Sequence, residues 1–431
     1  MKPLTNQLVI AEREDIARGI RVLLASPILT ARAQPADFDL VRRRRDPLVR
    51  WFDYYCGWRL VVEPRSGYAR LAKVRRTVDA TRPARRRRSG AAPFDRRRYV
   101  LLCVAAAELL GTPVTTIGLL ADRVAQATAA DPELPTVDTT SRAERMAFVD
   151  ALRLLESFGA VEVLDGTTES YVDSAAAKVL YRVDATLVMR LIAAPTGPSR
   201  LTSARFDGPA QLAELVRESR YGPAEGAGPA EGPGPAEGGD IDDGDGPSPV
   251  QRTLALRHAV FRRLLDDPVV HRDDLSEAEL GYLISPTGRQ LTRRAADEAG
   301  MELEERAEGW LLIDPDGLAT DTRFPDDGSH AKVAALALLD RINAEPGGIT
   351  PEQLTVDTAA LLRRFPRWAK AYQDDDGQRR LRDAAVAVLT QFGLVRRAGP
   401  LVVGRPAAAR YALIDVSARS SATGDDEGVP A

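Results

Sequence analysis

The chain of 431 residues is poor in the side chains from which disulfide frameworks and zinc sites are built. It contains only two cysteines, Cys56 and Cys103, and three histidines, so neither a disulfide network nor a Cys/His zinc site can be assembled. Both cysteines fall in predicted helices, where a free cysteine is most simply a small buried hydrophobic residue. We therefore expect no metal and no other cofactor.

Sequence motifs of common enzymes are missing as well. There is no Gly-x-x-x-x-Gly-Lys-Ser/Thr phosphate loop, no Gly-x-Gly-x-x-Gly after a strand and no His-x-x-x-His pair. Acidic runs at 242–243 and 374–376 fall in a predicted linker and a loop, where solvated turns explain them better than a nuclease metal site. His258 and His271 are predicted on or beside helices, in structural roles. We expect a protein without catalytic residues.

Long apolar runs are also lacking. No stretch approaches the roughly 20 apolar residues of a membrane-spanning helix, and residues 1–6 lack the apolar core of a signal peptide. With 44% hydrophobic residues, the chain can still form several buried cores. The sequence predicts a soluble, cytoplasmic protein without membrane contact.

Positive charge is concentrated in the first hundred residues, which contain 24 Lys+Arg and 10 Asp+Glu. Their balance of +14 leaves −17 for the rest of a chain whose net charge is −3. Such a concentration is typical of a polyanion-binding surface, because phosphate contacts release condensed counterions. The alternative is a solvated surface in an arginine-rich chain. The candidate DNA-binding residues are Arg42, Arg43, Arg44, Arg45, Arg65, Arg70, Lys73, Arg75, Arg76, Arg85, Arg86, Arg87, Arg88, Arg96, Arg97 and Arg98.

The start of the chain has the element order of a winged-helix domain. Three helices are predicted, the third of them capped by Asp46 and ended by Gly57. Residues 58–62 and 68–73 flank a turn and predict a β-hairpin. The sequence therefore predicts a helix-turn-helix followed by a β-wing.

A second unit of the same kind follows a basic connector. Thr115 is placed to cap a short helix, and Ser141 with Glu144 predicts a capping box for a long one. Residues 161–164 and 178–183 can pair as its wing. The first half therefore reads as a tandem winged-helix module.

The second half repeats the first. Capping boxes are predicted at Ser276 and Thr350, and a closing wing at 401–403 with 409–413. The first basic hairpin corresponds to the acidic segment 301–305, so we expect nucleic-acid contact mainly from the first copy and protein contacts from the second. Three pairs of similar segments occur in the same order in both halves and support the duplication. They are 23–28 with 264–269, 46–62 with 285–305, and 154–161 with 388–395.

The predicted fold class is mainly α with small β-hairpins, as tandem, internally duplicated winged-helix domains. Gly-Pro-Ala-Glu-Gly recurs between the halves, a composition that favours a disordered tether over roughly 222–249. The predicted domains are winged helices at 1–92 and 93–200, an acidic linker at 201–250, winged-helix-like domains at 251–325 and 326–416, and a disordered tail at 417–431.

Several segments resemble the B subunits of type II Wadjet systems. These subunits are similar to MukE, the winged-helix kleisin-interacting component of MukBEF-like SMC complexes. The resemblance covers about residues 10–195 closely and 250–415 by the order of elements. The segments that carry it are Phe38–Arg43, Trp51-Phe52, Gly57–Leu60, Ala69–Lys73 and Arg96–Cys103.

The resemblance implies partners rather than catalysis. A member of this family would join a kleisin, a coiled-coil SMC-type ATPase and a Toprim-containing nuclease in a complex that extrudes loops of DNA and cleaves small circular plasmids. Its contact with double-stranded DNA would be through phosphates, and it would be associated with the nucleoid or with plasmids. The doubling and the acidic tether depart from the MukE pattern, so a homodimer and an internal pseudo-dimer both stay open.

Two other interpretations fit the same residues. A winged-helix transcriptional regulator would bind one DNA sequence through a recognition helix. A pure protein scaffold would use its arginines to meet an acidic kleisin. All three interpretations make the same arginines important.

Overall fold

A computed structural model describes residues 2–75, 82–87, 92–197, 208–222 and 246–411. The chain divides into two compact units, Met1–His258 and Ala259–Ala431. The fold is mainly α-helical with antiparallel sheets of two or three strands, which confirms the predicted fold class. Among the described residues, no helix combines the length and hydropathy needed to cross a bilayer.

The first unit contains two modules in which a helix, a strand, two helices and a β-hairpin follow one another. Module 1 consists of α1 (Lys2–Ala25), β1 (Ile28–Thr30), α2 (Pro35–Arg43), α3 (Arg45–Cys56), β2 (Arg59–Glu63) and β3 (Tyr68–Ala72). Module 2 consists of α4 (Arg96–Leu109), β4 (Val114–Thr116), α5 (Ile117–Ala130), α6 (Arg142–Ser157), β5 (Val161–Asp165), α7 (Ser170–Asp173), β6 (Leu180–Val183) and α8 (Ala185–Met189).

The segment predicted as a linker from residue 201 is helical in part. Helix α9 (Pro209–Val216) and a 3-10 helix (Ser219–Tyr221) lie within it, because Leu212, Leu215 and Val216 supply apolar side chains that the Gly/Pro/Glu repeat lacks. The predicted tail at 417–431 and residues 223–245 of the linker lie outside the described residues.

The same order of elements recurs after the linker, and the boundary between the two units falls inside α10. Module 3 consists of α10 (Pro249–Asp266), β7 (Val270–His271), α11 (Glu277–Ile284), α12 (Pro286–Ala299), β8 (Glu302–Glu305) and β9 (Gly309–Ile313). Module 4 consists of α13 (His330–Asn343), α14 (Pro351–Arg364), α15 (Gly377–Gln391), β10 (Val395–Ala398) and β11 (Leu401–Gly404).

The sheets of modules 1 to 3 have one topology. Their strand orders are β1-β3-β2, β4-β6-β5 and β7-β9-β8, so the last strand of the hairpin is always central. All pairs are antiparallel, with Leu29 opposite Ala69 and Val270 opposite Trp310. In module 4 the first strand is reduced to a bridge from Ile349 to β11. This is the winged-helix arrangement, and the short first strands were not predicted from the sequence.

Two pairs of glycines at equivalent positions of the two copies have the same left-handed backbone conformation, as the predicted duplication requires. Gly57 and Gly300, which end α3 and α12, both have a φ of 63°. Gly159 and Gly393, which follow α6 and α15, have φ values of 71° and 66°. Left-handed backbone carries no steric penalty for glycine, and here it turns each helix directly into a wing strand. Two of the three sequence matches, 46–62 with 285–305 and 154–161 with 388–395, therefore mark the same helix-to-strand turn in each copy.

The two modules of each copy also meet at equivalent positions. In the first unit, a β-carbon on Gly159 would lie 2.9 Å from Cγ2 of Thr30 on β1. In the second unit, His271 of β7 replaces Thr30, and its Nε2 lies 2.8 Å from the carbonyl oxygen of Gly393. Burial lowers the pKa of His271, so the neutral ring donates this hydrogen bond from Nε2. His271, predicted on or beside a helix, lies in strand β7 and links the two modules of the second unit through this hydrogen bond.

The predicted helix caps are confirmed in part. The capping boxes that open α11 and α14 have both reciprocal hydrogen bonds. The box predicted for α6 is wrong, because Ser141 makes no capping hydrogen bond and Glu144 is bound by Arg97 instead. Asp46 lies inside α3, whose N-cap residue is Arg44.

The wing predicted for module 4 is only half correct. Strand β11 matches the prediction at 401–403, but it pairs with β10 rather than with 409–413. Gly399, with a φ of 58°, allows a tight turn between β10 and β11, whereas Pro406–Tyr411 form a 3-10 helix. Residues 412–413 lie outside the described residues. In module 2, Thr116 caps α5, because Thr115 is buried in β4.

Candidate nucleic-acid interface

Arg70, on β3, is buried rather than solvent-facing, with 9% of its surface exposed. Its Nη1 donates to the carbonyl oxygen of Leu71 at 2.7 Å. Its Nε and Nη2 donate to the carbonyl oxygens of Arg190 and Leu191, at 2.9 and 3.2 Å. The guanidinium therefore ties module 1 to the end of α8. Because its donors already have partners inside the first unit, Arg70 is removed from the candidate set.

Arg97 and Arg98, at the start of α4, hold α4 against α6. Arg97 Nε lies 2.9 Å from Oε2 of Glu144. The side chain of Arg98 is 8% exposed and lies between two carboxylates, 2.7 Å from Asp150 and 2.6 Å from Asp95. Although burial opposes the effect, the backbone N–H and the positive charge of Arg98 lower the pKa of Asp95. Both arginines are structural cross-links and are removed from the candidate set.

Arg44 and Arg86 are also committed to intramolecular ion pairs. Arg44 lies 3.1 Å from both Glu12 and Asp15, which ties the start of α3 to α1. Arg86 lies 3.9 Å from Asp150, beside Arg98. Both side chains are half-buried, so their charge mainly supports the fold of the first unit.

Arg42 and Arg43 lie on the exposed face of α2 and share one carboxylate. Arg42 is 2.6 Å and Arg43 is 3.1 Å from Asp39. The hydrogen bond from Arg42, with the nearby charges, lowers the pKa of Asp39. Exposed ion pairs contribute little free energy, so a phosphate group can replace Asp39 as the partner of either guanidinium. Arg42 and Arg43 stay in the candidate set.

Three further candidates have intramolecular partners of their own, namely Lys73, Arg75 and Arg85. The ammonium of Lys73 lies 5.3 Å from the centroid of the Trp58 ring, which is within the range of a cation–π interaction. These residues are secondary candidates. Arg76 and Arg88 lie outside the described residues.

Four candidates face solvent, and within the described part of the chain their side chains make no hydrogen bond or ion pair. Burial raises the pKa of Glu156, and the charge of Arg87 is among those that oppose this effect. Arg65 lies in the turn of the β2–β3 hairpin, and Arg87 lies in the connector between modules 1 and 2. Arg45 and Arg96 are the first residues of α3 and α4. A long cationic side chain at such a position reaches a phosphate oxygen without losing an existing partner. We refer to Arg45, Arg65, Arg87 and Arg96 as the solvent-facing arginines.

The residues with potential metal or nucleophilic chemistry do not form a site. In the segments that the structure describes, no three or more His, Cys, Asp and Glu side chains are grouped so that they could hold a metal ion. Cys56 is buried in α3 as predicted. The prediction is wrong for Cys103, which is exposed because α4 buries its other face through Leu101 and Ala105.

Comparison with protein families gives one match. The family described as "Protein of unknown function (DUF2398)" matches residues 20–413. The chain belongs to this family. The match begins in α1 and ends beyond β11, so all four modules are part of the DUF2398 architecture. No curated protein and no solved structure matches the chain.

Module 3 of this DUF2398 chain contains basic residues that are not among the sequence-predicted candidates. Arg289, Arg293 and Arg294 lie with Gln290 on the exposed face of α12. They do not form a run of arginines, because they are spaced along a helix in a segment of nearly balanced charge. A helical plot of 286–299 could have found them, since small residues fill the opposite face.

Proposed function

We propose that this chain is a non-catalytic subunit that binds duplex DNA and a kleisin within an SMC-type complex of the MukBEF and Wadjet kind, which extrudes loops of DNA and restricts plasmids. The observation that carries the proposal is the fold, in which four modules follow the winged-helix order and solvent-facing arginines lie on the first two modules and on the connector between them. Winged-helix modules suit binding to DNA, through the third helix and the wing. The segments that resemble Wadjet B subunits lie within modules 1 and 2.

The proposed DNA contact in the first unit is made to phosphates. The solvent-facing arginines occupy a hairpin turn, a connector and two helix starts, so they do not form a row along one helix that could read base edges. On the exposed face of α3, Tyr54 and Asp53 already have partners, since Arg257 lies 4.2 Å from the centroid of the Tyr54 ring and Arg220 pairs with Asp53 at 3.2 Å. Phosphate contact is independent of sequence, as a complex that moves along DNA requires.

The proposed protein partners follow from the resemblance to Wadjet B subunits. They are a kleisin, which this chain would bind directly, and an SMC-type ATPase and a Toprim-containing nuclease in the same complex. The duplicated fold supplies two copies of the two-module unit in a single chain. One chain would then provide what a homodimer provides in MukE-like subunits.

Binding to two unrelated DNA duplexes of equal length tests the proposal. We expect equal affinities and a steep loss with salt, because each phosphate contact adds about −0.9 to the slope of log K against log salt. Fluorescence anisotropy across a salt series measures both quantities. A preference of about a thousandfold or more for one sequence at physiological salt would contradict the proposal and identify a winged-helix regulator.

A further inference from the structure

The third helices of modules 1 to 3 differ in the contacts that their polar and aromatic side chains make. In module 1, Tyr54 and Asp53 of α3 contact Arg257 and Arg220 of the same unit, although both stay exposed. In module 2, charged residues of α6 are engaged inside the first unit, with Glu144 and Asp150 bound by the arginines of α4. Helix α12 of module 3 instead presents its outer face to a shallow open cavity of about 470 Å³. This helix therefore has room for a ligand.

The chemistry of α12 changes from one face to the other. Its inner face is made of small residues, and Gly288, Thr292, Ala295 and Ala299 are buried. A β-carbon on Gly288 would lie 1.9 Å from the carbonyl oxygen of Tyr282, so α11 and α12 meet at a tight turn in which Ser285 is the only residue between them. These two helices occupy the helix-turn-helix positions of the winged-helix order.

The outer face of α12 consists of polar and basic side chains. Arg289, Gln290, Arg293 and Arg294 line the cavity with Pro286 and Asp297. Positions 286, 289–290, 293 and 297 are three or four residues apart, so they form one stripe along the helix. Arginine donates paired hydrogen bonds to phosphate oxygens, and the amide N–H of glutamine donates to them as well. The stripe therefore suits a nucleic-acid duplex better than an apolar ligand.

A single wing residue holds two of these arginines in place. Glu305, at the end of β8, lies 3.2 Å from Arg289 and 3.5 Å from Arg293. All three side chains are at least partly exposed, so the pairs are weak and a phosphate can compete for the guanidinium groups. The negative charge of this hairpin, on which the expectation of protein contacts depends, is thus partly neutralised by the arginines of α12.

We infer that α12 is a second DNA-contacting element, which inserts its Arg289–Arg294 stripe into the major groove of a duplex. The inference rests on the proposed function, since it assigns part of the duplex contact to module 3. B-form DNA has a major groove wide enough for an α-helix, whereas the major groove of an A-form RNA duplex is too deep and narrow. Insertion of α12 is therefore specific for DNA.

The test combines substitutions of opposite expected effect in the full-length protein. The triple variant Arg289→Ala, Arg293→Ala, Arg294→Ala should lower the salt slope for a DNA duplex by about 2 to 3 units and weaken binding about 10-fold or more at moderate salt. Glu305→Gln should tighten binding several-fold, because it frees two guanidinium groups and removes a repelling charge. Binding to an RNA duplex of the same sequence should change less in each variant.

An ion pair on α13 provides the matched controls. Arg341 lies 2.7 Å from Glu345, and both side chains are exposed to a similar extent as the α12 pairs. Arg341→Ala and Glu345→Gln should leave DNA affinity nearly unchanged. If the α12 variants behaved like these controls while the native protein still bound DNA, the inference would be overturned and the proposed function would stand. Failure of the native protein to bind any duplex at low salt would instead overturn the proposed function. Equal losses on DNA and RNA would overturn groove insertion.

Discussion

Replacing Arg98 with alanine is expected to destabilise module 2 by about 3 to 5 kcal/mol. The substitution removes the guanidinium that lies 2.7 Å from Asp150, whose side chain is 14% exposed. Among the described residues, the more distant Arg86 is then the remaining ion-pair partner of this carboxylate. A buried charge that loses its partner keeps the full cost of its desolvation. Hydrogen exchange in α4 and α6 measures the effect as a loss of protection in both helices.

The control for Arg98 is an exposed ion pair in the same unit. Arg18 lies 3.4 Å from Asp37, and 56% of its side-chain surface is exposed, so Arg18→Ala should cost less than about 1 kcal/mol. Replacing both Arg98 and Asp150 with apolar residues of similar size should recover part of the lost stability, because no charge is then left unpaired. Unchanged protection of α4 and α6 in Arg98→Ala would contradict the structural role assigned to this residue.

Replacing the four solvent-facing arginines with alanine is expected to weaken duplex binding steeply at low salt. If each contacts one phosphate, the slope of log K against log salt falls by about 3 to 4 units. Raising the salt from a low to a physiological concentration weakens binding of the native protein by some factor, and in the variant this factor should be about 100-fold smaller. Salt titrations of duplex binding by fluorescence anisotropy measure this slope.

A second quadruple variant controls for the change in net charge. It replaces four arginines that are exposed but already paired with a carboxylate, so the formal charge falls by the same amount. Its slope should stay within about one unit of the native value, because these side chains lie outside the segments to which DNA contact is assigned. Equal slopes for the two quadruple variants would show that only overall charge matters, and would contradict the assignment of the solvent-facing arginines. The control residues are Arg18, Arg142, Arg341 and Arg380.

The features that could be predicted from the sequence are the local ones. Gly57 and Gly300 end helices because a residue with positive φ is needed at one position, and this need is visible in the order of helix, glycine and strand. The capping boxes of α11 and α14 are likewise contained within four consecutive residues. The duplication can be recognised in the sequence because two of its three pairs of similar segments contain these glycine turns.

The roles of individual arginines could not be predicted, because their partners are distant in sequence. Arg70 lies on a β-hairpin, and the alternation of side chains along a strand would leave one face of it exposed. Strand β3 is instead buried on both faces. The carbonyl groups that accept hydrogen bonds from Arg70 Nε and Nη2 belong to Arg190 and Leu191. The run 96–98 starts a helix, so its three side chains point in different directions. Arg96 faces solvent, whereas Arg97 and Arg98 face α6. A charge run therefore indicates a basic region, but the fold decides which residues are free to contact a ligand.

The basic face of α12 could not be predicted for a similar reason, because it depends on a contact between two different segments. Its arginines lie close in space to Glu305, a residue of the hairpin that was read as acidic. In sequence, the helix and the hairpin are consecutive segments of opposite character; in the fold they form one surface. The expectation that the second copy serves only protein contacts stays a prediction, and α12 gives a reason to test DNA contact there as well.

The measurement that tests the proposed function most directly is affinity purification of the protein, tagged at its native locus, from a DNase-treated lysate. Quantitative mass spectrometry should recover a kleisin-like protein, an SMC-type ATPase and a Toprim-containing protein in fixed ratios to the tagged chain. DNase treatment matters because it removes proteins that are held only through shared DNA. Recovery of the tagged chain alone, in a lysate where it remains intact, would contradict the account and favour an independent DNA-binding regulator.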